Sequence, residues 1–123
     1  MTENDITYSI IGGIYNVYNG LGPGLLESIY EAALVHELKK RGLKVEKQVP
    51  LKIVYDDIVL PIDYRIDLLV EDTVIIELKS VEVISEVHHK QILTYMKIAN
   101  KPLGLLVNFN TSNIAKSIFR KIL

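Results

Sequence analysis

The sequence contains no cysteine among its 123 residues. Without thiols it cannot form a disulfide framework or a thiolate zinc site, and a reducing cytoplasm is the expected environment. No apolar run approaches the ~20 residues that a membrane-spanning helix needs, so no membrane partner is expected. Residues 1–5 are acidic and polar, which is the opposite of a secretory signal.

A strong excess of charge of either sign is also missing, since the formal net charge is −1 at pH 7. Proteins that hold nucleic acid by bulk electrostatics are usually basic, so this chain can do so only through a local patch. Two basic clusters are available, and the alternative for each is a solvated helix end or an exposed strand face. They comprise Lys39, Lys40, Arg41, Lys44 and Lys47 in the middle, and Lys116, Arg120 and Lys121 at the end.

The composition is that of a globular protein, with 49% apolar and 24% charged residues. A single domain over residues 1–123 is the simplest organisation. Periodicity predicts helices over residues 6–19, 25–40, 85–100 and 112–122. It predicts strands over residues 45–55, 58–70 with a bend near Pro61, 74–79 and 103–109. The expected fold class is α/β, ordered α-α-β-β-β-α-β-α, with a central mixed four-stranded sheet flanked by helices.

Two charged residues interrupt the most apolar of the predicted strands. Glu77 and Lys79 are two residues apart, so their side chains project from the same face of the strand. Burying a charge is costly unless the group is paired or binds a metal. One interpretation is therefore a buried Glu–Lys pair or a strand end that reaches solvent. The other is an active site in which Glu77 binds a metal and Lys79 acts beside it.

Asp67 in the preceding strand adds a second carboxylate to this pair. A turn over residues 71–73 pairs the two strands and brings Asp67 close to Glu77. Two carboxylates from adjacent strands suit a hard cation such as Mg²⁺, which prefers oxygen ligands and keeps several waters. Lys79 could then orient the attacking water or stabilise charge on a transferring phosphoryl group.

Two further patterns lie on predicted helices. Gln91 and Tyr95 are four residues apart and share a helix face, from which both could reach a substrate backbone near the metal. Their alternative is a polar surface glutamine and a core tyrosine. Gly24, Glu27 and Tyr30 open the second helix, where the helix dipole would also favour an acidic residue such as Glu27 for structural reasons.

Together these residues resemble the PD-(D/E)XK nuclease superfamily, over nearly the whole chain. Asp67 followed by Glu-Leu-Lys at residues 77–79 resembles the nuclease core. Residues 91–95 are similar to the QxxxY motif of the RecB-like branch. Residues 24–30 resemble the signature of the GxxExxY proteins, a bacterial and archaeal group in that superfamily. One departure is that Ile66, and not proline, precedes Asp67.

The resemblance implies a restriction-endonuclease-like core and roles for individual residues. The implied catalytic residues are Asp67, Glu77 and Lys79. The implied ligands of Mg²⁺ or Mn²⁺ are Glu27, Asp67 and Glu77. Substrate binding would fall to Gln91, Tyr95 and Tyr30. His36 is either a further ligand from the second helix, as in RecB-like enzymes, or a helix-surface residue, and His88 and His89 are expected to face solvent.

The expected function is metal-dependent hydrolysis of phosphodiester bonds in DNA or RNA. The small size and slightly acidic charge suggest that a homodimer or a protein partner helps to hold a long substrate. The alternative is a non-catalytic member of the same fold that binds nucleic acid or protein, because fold does not fix function. A cytosolic α/β domain with a buried ion-pair network would explain Glu77 and Lys79, but not the other motifs.

Overall fold

A mixed five-stranded sheet with helices on both faces organises the chain, and a computed structural model describes all of residues 1–123. The strand order is β1-β4-β5-β6-β7, and all neighbours are antiparallel except β5 and β6. The elements are α1 (Glu3–Leu21), α2 (Glu27–Lys40), β1 (Val45–Leu51), β2 (Val54–Tyr55), β3 (Ile58–Val59), β4 (Tyr64–Val70), β5 (Val74–Lys79), α3 (Glu86–Ala99), β6 (Leu103–Asn108), a 3-10 helix (Ile114–Ser117) and β7 (Ile118–Ile122).

Helices α1 and α2 cover one face of the sheet, and α3 covers the other. Thr2 caps α1 in a reciprocal capping box with Asp5, which satisfies backbone groups that the first turn leaves free. The apolar residues of α1 and α2 pack with Leu68, Ile76 and their neighbours in the larger core. The smaller core lies under α3 and includes Ile75 and Leu106. None of the helices combines the length and apolar character needed to cross a membrane.

Strand β5 lies at the centre of the sheet and connects to its parallel neighbour β6 through α3. Residues Val74 to Leu78 are all buried, as expected for a strand that is covered on both faces. The predicted strand over residues 74–79 and the mixed character of the sheet are therefore confirmed. The predicted pairing of the strands on either side of the turn at residues 71–73 is also confirmed, and it sets Asp67 against Glu77.

The prediction of a final helix over residues 112–122, and with it the four-stranded count, is wrong. Residues Ile118–Ile122 instead form β7, which pairs with β6 from Leu103↔Ile122 to Val107↔Ile118. Without β7, the buried strand β6 would present a row of unpaired backbone groups at the sheet edge. The periodicity of residues 112–122 does not reveal this pairing requirement, because the requirement depends on the position of β6 in the folded sheet.

The predicted strand over residues 58–70 is interrupted near Pro61, where a bend was expected. Residues Ile58–Val59 pair with Val54–Tyr55 in a separate two-stranded hairpin. The main sheet resumes at Tyr64. Proline lacks the backbone N–H that a continuous ladder needs, which accounts for a break at this point.

Candidate active site

The paired carboxylates lie where β4 and β5 separate. The last backbone pair between these strands is Leu68↔Ile76, and one residue further Asp67 stands opposite Glu77. Beyond this pair, carboxylate oxygens accept hydrogen bonds from backbone N–H groups, in place of the carbonyl oxygens of the neighbouring strand. The Leu78 N–H donates to Asp67 Oδ2 at 2.8 Å, and the Asp67 N–H donates to Glu77 Oε1 at 3.1 Å. These two bonds fix the carboxylates side by side.

Burial changes the acidity of both carboxyl groups. Glu77 is only 7% exposed. Burial and the neighbouring Asp67 charge raise the pKa of Glu77 to about 8, and burial also raises the pKa of Asp67 above its ordinary value. The nearby positive charge of Lys79 acts in the opposite direction on both groups. The cost of removing the two carboxylates from water therefore outweighs their attraction to Lys79. A second positive charge beside the carboxylates would be favourable.

Lys79 is half-buried at the end of β5, and several contacts hold the chain beside it. The Phe109 N–H donates to the Lys79 carbonyl at 2.9 Å. Asn108 is buried and bonds both the N–H and the carbonyl of Val81, at 3.1 and 2.9 Å. Ser80 donates to the Leu25 carbonyl at 2.6 Å, which ties the end of β5 to the start of α2. These contacts set the position of Lys79 relative to α2.

Glu27 begins α2 and approaches the pair without joining it. Its side chain is exposed, yet its charge raises the pKa of both Asp67 and Glu77. No three His, Asp or Glu side chains are grouped closely enough to enclose a metal ion. Asp67 Oδ1 and Glu77 Oε2 have no backbone donor. Such a two-carboxylate site fits a cation such as Mg²⁺ that keeps most of its waters.

A family model described as the PD-(D/E)XK nuclease superfamily matches residues 4–121. The chain belongs to the PD-(D/E)XK nuclease superfamily. The restriction-endonuclease-like fold class expected from the sequence is therefore confirmed, with one strand more than predicted. Neither the curated proteins nor the solved structures give a match to this chain.

Gln91 and Tyr95, which were expected to share one face of α3, line one groove. The groove has a volume of about 390 Å³ and lies between α3 and the start of β4. Tyr64 forms its opposite wall and meets Tyr95 edge to face, with ring centroids 5.3 Å apart. Burial and Tyr64 raise the pKa of Tyr95, and the charges of Glu77 and Asp67 add to this effect, so Tyr95 lies within electrostatic range of the paired carboxylates.

Tyr30 lies in the core, which is at odds with its expected role in substrate binding. Its side chain is fully buried and stacks on Phe109 with ring centroids 4.3 Å apart. Its hydroxyl donates to the Gly22 carbonyl at 2.6 Å and accepts from the Leu25 N–H at 3.1 Å. Tyr30 therefore fixes the loop that leads to Glu27, and its buried side chain is not accessible to a substrate.

Replacing Tyr30 by phenylalanine is expected to destabilise the fold by about 1–2 kcal/mol. The ring can still stack on Phe109, but the carbonyl and N–H in the loop lose their buried partner. Chemical denaturation of the two proteins measures the difference. Tyr8→Phe is the matched control, since Tyr8 is 83% exposed. An equal loss of stability in the control would contradict the loop-fixing role.

The histidines have separate places in the structure. His36 is exposed on α2 and belongs to no group of candidate metal ligands. His88 and His89 are half-buried, so neither is fully exposed, and neither belongs to a group of candidate metal ligands. His88 Nδ1 accepts from the Ser85 N–H at 3.1 Å and helps to cap α3. His89 packs edge to face against Phe119 of β7, which the sequence had not placed nearby.

Three polar residues near the carboxylates had no role assigned from the sequence. Asn108 ends an otherwise apolar strand, and that isolated amide was a signal for a structural role at the strand end. Glu31 and Gln48 form a hydrogen bond at 2.9 Å beside Asp67, from α2 and β1 respectively. Nothing in the local pattern marked Gln48, because its importance comes from its position opposite Asp67.

Proposed function

We propose that the chain is a divalent-metal-dependent nuclease that hydrolyses phosphodiester bonds in DNA or RNA. The observation that carries this proposal is the hydrogen-bonded pair of Asp67 and Glu77, with Lys79 beside it at the end of the central strand. Membership of the PD-(D/E)XK nuclease superfamily supports nuclease activity and a nucleic acid substrate in general terms. The assignment of roles to individual residues is part of the proposal.

Asp67 and Glu77 would hold Mg²⁺ or Mn²⁺, and Glu27 would complete the shell directly or through a water. A bound cation of this kind lowers the pKa of a coordinated water and neutralises phosphate charge. Asp67 and Glu77 orient their oxygens through the backbone N–H groups of Leu78 and Asp67. Because burial disfavours two adjacent negative charges, the pair retains one proton readily, and cation binding would release it.

Lys79 would act on the substrate. Its ammonium group projects from the same strand face as Glu77, so it can approach the scissile phosphate or the attacking water. A cation in this position stabilises the negative charge that develops on the phosphoryl oxygens. The ammonium group of Lys79 and a metal ion are both positive and repel each other. Lys79 should therefore contribute to turnover and not to metal binding.

Lys79→Met is therefore expected to lower kcat about a hundredfold or more while leaving Mn²⁺ affinity equal or higher. Steady-state cleavage and calorimetric titration of the same preparation measure the two effects. Lys97→Met, on an exposed position of α3, is the control for loss of one surface charge. Full activity of the Lys79 variant would remove this lysine from the mechanism.

Gln91 and Tyr95 would bind substrate from the α3 groove. The groove presents the exposed amine of Lys90 together with the ring of Tyr64, and its residue Tyr95 lies within electrostatic range of the carboxylates. An aromatic wall can stack on bases, and a lysine at the rim can contact phosphate. The groove thus offers contacts to both parts of a nucleotide next to the proposed metal site.

Within the superfamily, we propose that the chain is a RecB-like, GxxExxY-type protein of prokaryotic origin. Support comes from residues 24–30 and 91–95, which carry the two signatures at the predicted helices. A cytoplasmic location stays a prediction based on the missing cysteines. A homodimer or a protein partner also stays a prediction, based on the small size and the net charge of −1.

The alternative is a non-catalytic member that binds nucleic acid or protein. One observation favours it, since the carboxylates do not enclose a complete three-ligand site. Calorimetric titration with Mg²⁺ and Mn²⁺ tests the proposal, followed by cleavage assays on single-stranded DNA, duplex DNA and RNA. Saturable binding with metal-dependent cleavage of any substrate supports the nuclease. Neither binding nor cleavage at millimolar metal, with nucleic acid present, supports the alternative.

A further inference from the structure

Gln48 adopts a backbone conformation that is unusual inside a strand. Its φ angle is +52°, in the left-handed region that side chains other than glycine rarely occupy. The other non-glycine residues with positive φ lie in turns or at the end of a helix; they are Asp56, Asp57, Glu71, Asp72 and Asn100. Gln48 alone interrupts a strand of the main sheet, and such strain persists only where the surroundings hold it in place.

The interruption reverses the faces of β1 and β4 at the level of Asp67. Residues separated by an even number of positions should share one face of a strand. Val45 nevertheless packs against the core under α1 and α2, whereas Val49 packs against the core under α3. In β4, Leu68 packs in the core under α1 and α2, whereas Ile66 packs in the core under α3. Ile66 and Leu68 therefore lie on opposite faces of the sheet, although they are two residues apart.

The register places this reversal at a single pair of positions. The ladder between β1 and β4 includes Lys47↔Leu68 and Val49↔Ile66 but omits the pair between them, Gln48 and Asp67. Asp67 thus has Gln48 on one side and Glu77 on the other. Its N–H is consequently free to donate to Glu77, and not to β1.

Two charged side chains hold Gln48 in this conformation. Arg65 Nη1 donates to the Gln48 carbonyl at 3.1 Å, and Asp63 orients the same guanidinium at 2.9 Å. Gln48 Nε2 donates to Glu31 Oε2 at 2.9 Å. Burial raises the pKa of Asp67 overall, and the nearby Gln48 amide acts in the opposite direction. Backbone and side chain are thus fixed from β4 and α2 together.

We propose that Gln48 is a positioning residue that holds the Asp67 carboxylate in place against Leu78 and Glu77. This inference rests on the proposed function, because it assigns the strain in β1 to the geometry of the proposed metal site. Glu31 and Arg65 act through Gln48, and none of the three needs to touch metal or substrate. Strain of this kind is commonly retained where it pre-organises a site.

The variant Gln48→Gly distinguishes the effect of the side-chain amide from that of the backbone conformation, because glycine adopts the positive φ without strain but has no side-chain amide. In the full-length variant we expect Mn²⁺ affinity to fall about tenfold or more, the usual effect of losing a partner of a metal ligand. We also expect faster hydrogen exchange at the Leu78 N–H, whose acceptor is Asp67, with thermal stability unchanged or higher. Gln48→Asn tolerates the same φ and keeps an amide, so it should recover part of both losses.

Asp57→Gly is the matched control, because Asp57 also has a positive φ, +62°, but lies in the exposed β2–β3 turn. It should leave Mn²⁺ affinity and Leu78 exchange unchanged. Gln48→Gly with wild-type affinity and wild-type exchange would overturn the positioning role, as would the same losses in the control. If the wild type binds no Mn²⁺ but Gln48→Gly still speeds Leu78 exchange, the positioning role stands and the proposed metal site fails.

Discussion

Glu77→Gln is expected to abolish metal-dependent cleavage, with a loss of about a thousandfold or more. The substitution preserves shape and can still accept the Asp67 N–H, but it removes the negative charge at the centre of the proposed site. A metal ion contributes several kcal/mol of transition-state stabilisation, which corresponds to a loss of this size when the ion is no longer held. Cleavage rates and calorimetric Mn²⁺ titrations measure the two consequences together.

The control for this substitution is Glu82→Gln, which neutralises an exposed carboxylate shortly after the same strand. It should retain both cleavage and Mn²⁺ binding. Wild-type cleavage by the Glu77 variant would refute the proposed role of the carboxylate. Loss of cleavage with unchanged Mn²⁺ affinity would show that Glu77 acts on the reaction without binding the metal.

The metal-free protein is expected to lose stability as the pH rises from about 5 to about 8. Burial raises the pKa of Glu77 from 4.5 to about 8, so the folded chain keeps a proton that the unfolded chain releases near pH 4.5. Between these values the folded state binds more protons, and its stability therefore falls with increasing pH. The pKa of Asp67 is also raised by burial and acts with the same sign.

The size of this pH effect is expected to be a few kcal/mol, since one pKa unit corresponds to about 1.4 kcal/mol. Denaturant unfolding at pH 5, 6.5 and 8 in the presence of a chelator measures it. Glu77→Gln should flatten the profile and be the more stable protein at pH 8. Mn²⁺ should stabilise the wild type most at pH 8. A pH-independent wild type, or a variant with an unchanged profile, would show that burial does not perturb Glu77.

The loss of cleavage in Glu77→Gln and the fall of stability with rising pH share one physical cause. The central strand buries a carboxylate that water would otherwise stabilise, and the metal-free fold bears that cost. A cation bound to Asp67 and Glu77 would offset it, so loss of the charge should raise stability and remove activity in the same protein. A gain of stability together with a loss of activity distinguishes an active-site carboxylate from a structural ion pair, because removing one partner of a structural ion pair would lower stability.

Much of the site could be predicted from the sequence because its signals are local. The spacing of Glu77 and Lys79 fixes their common face, since side chains alternate along any strand. The turn after β4 brings Asp67 opposite Glu77, because a short connection between antiparallel strands determines their register. The apolar run of β5 likewise indicated a strand covered on both faces.

Other features arise only when distant segments meet. Residues 118–122 form a strand because β6 offers an open edge, and Tyr30 is buried because Phe109 lies against it. Gln48 takes a strained conformation because Arg65 and Glu31 hold it opposite Asp67. The sequence by itself singled out the residues that we propose to carry the chemistry, through short-range periodicity and spacing. The tertiary structure alone decided how they are supported, because contacts between distant segments outweigh the local preference of each residue.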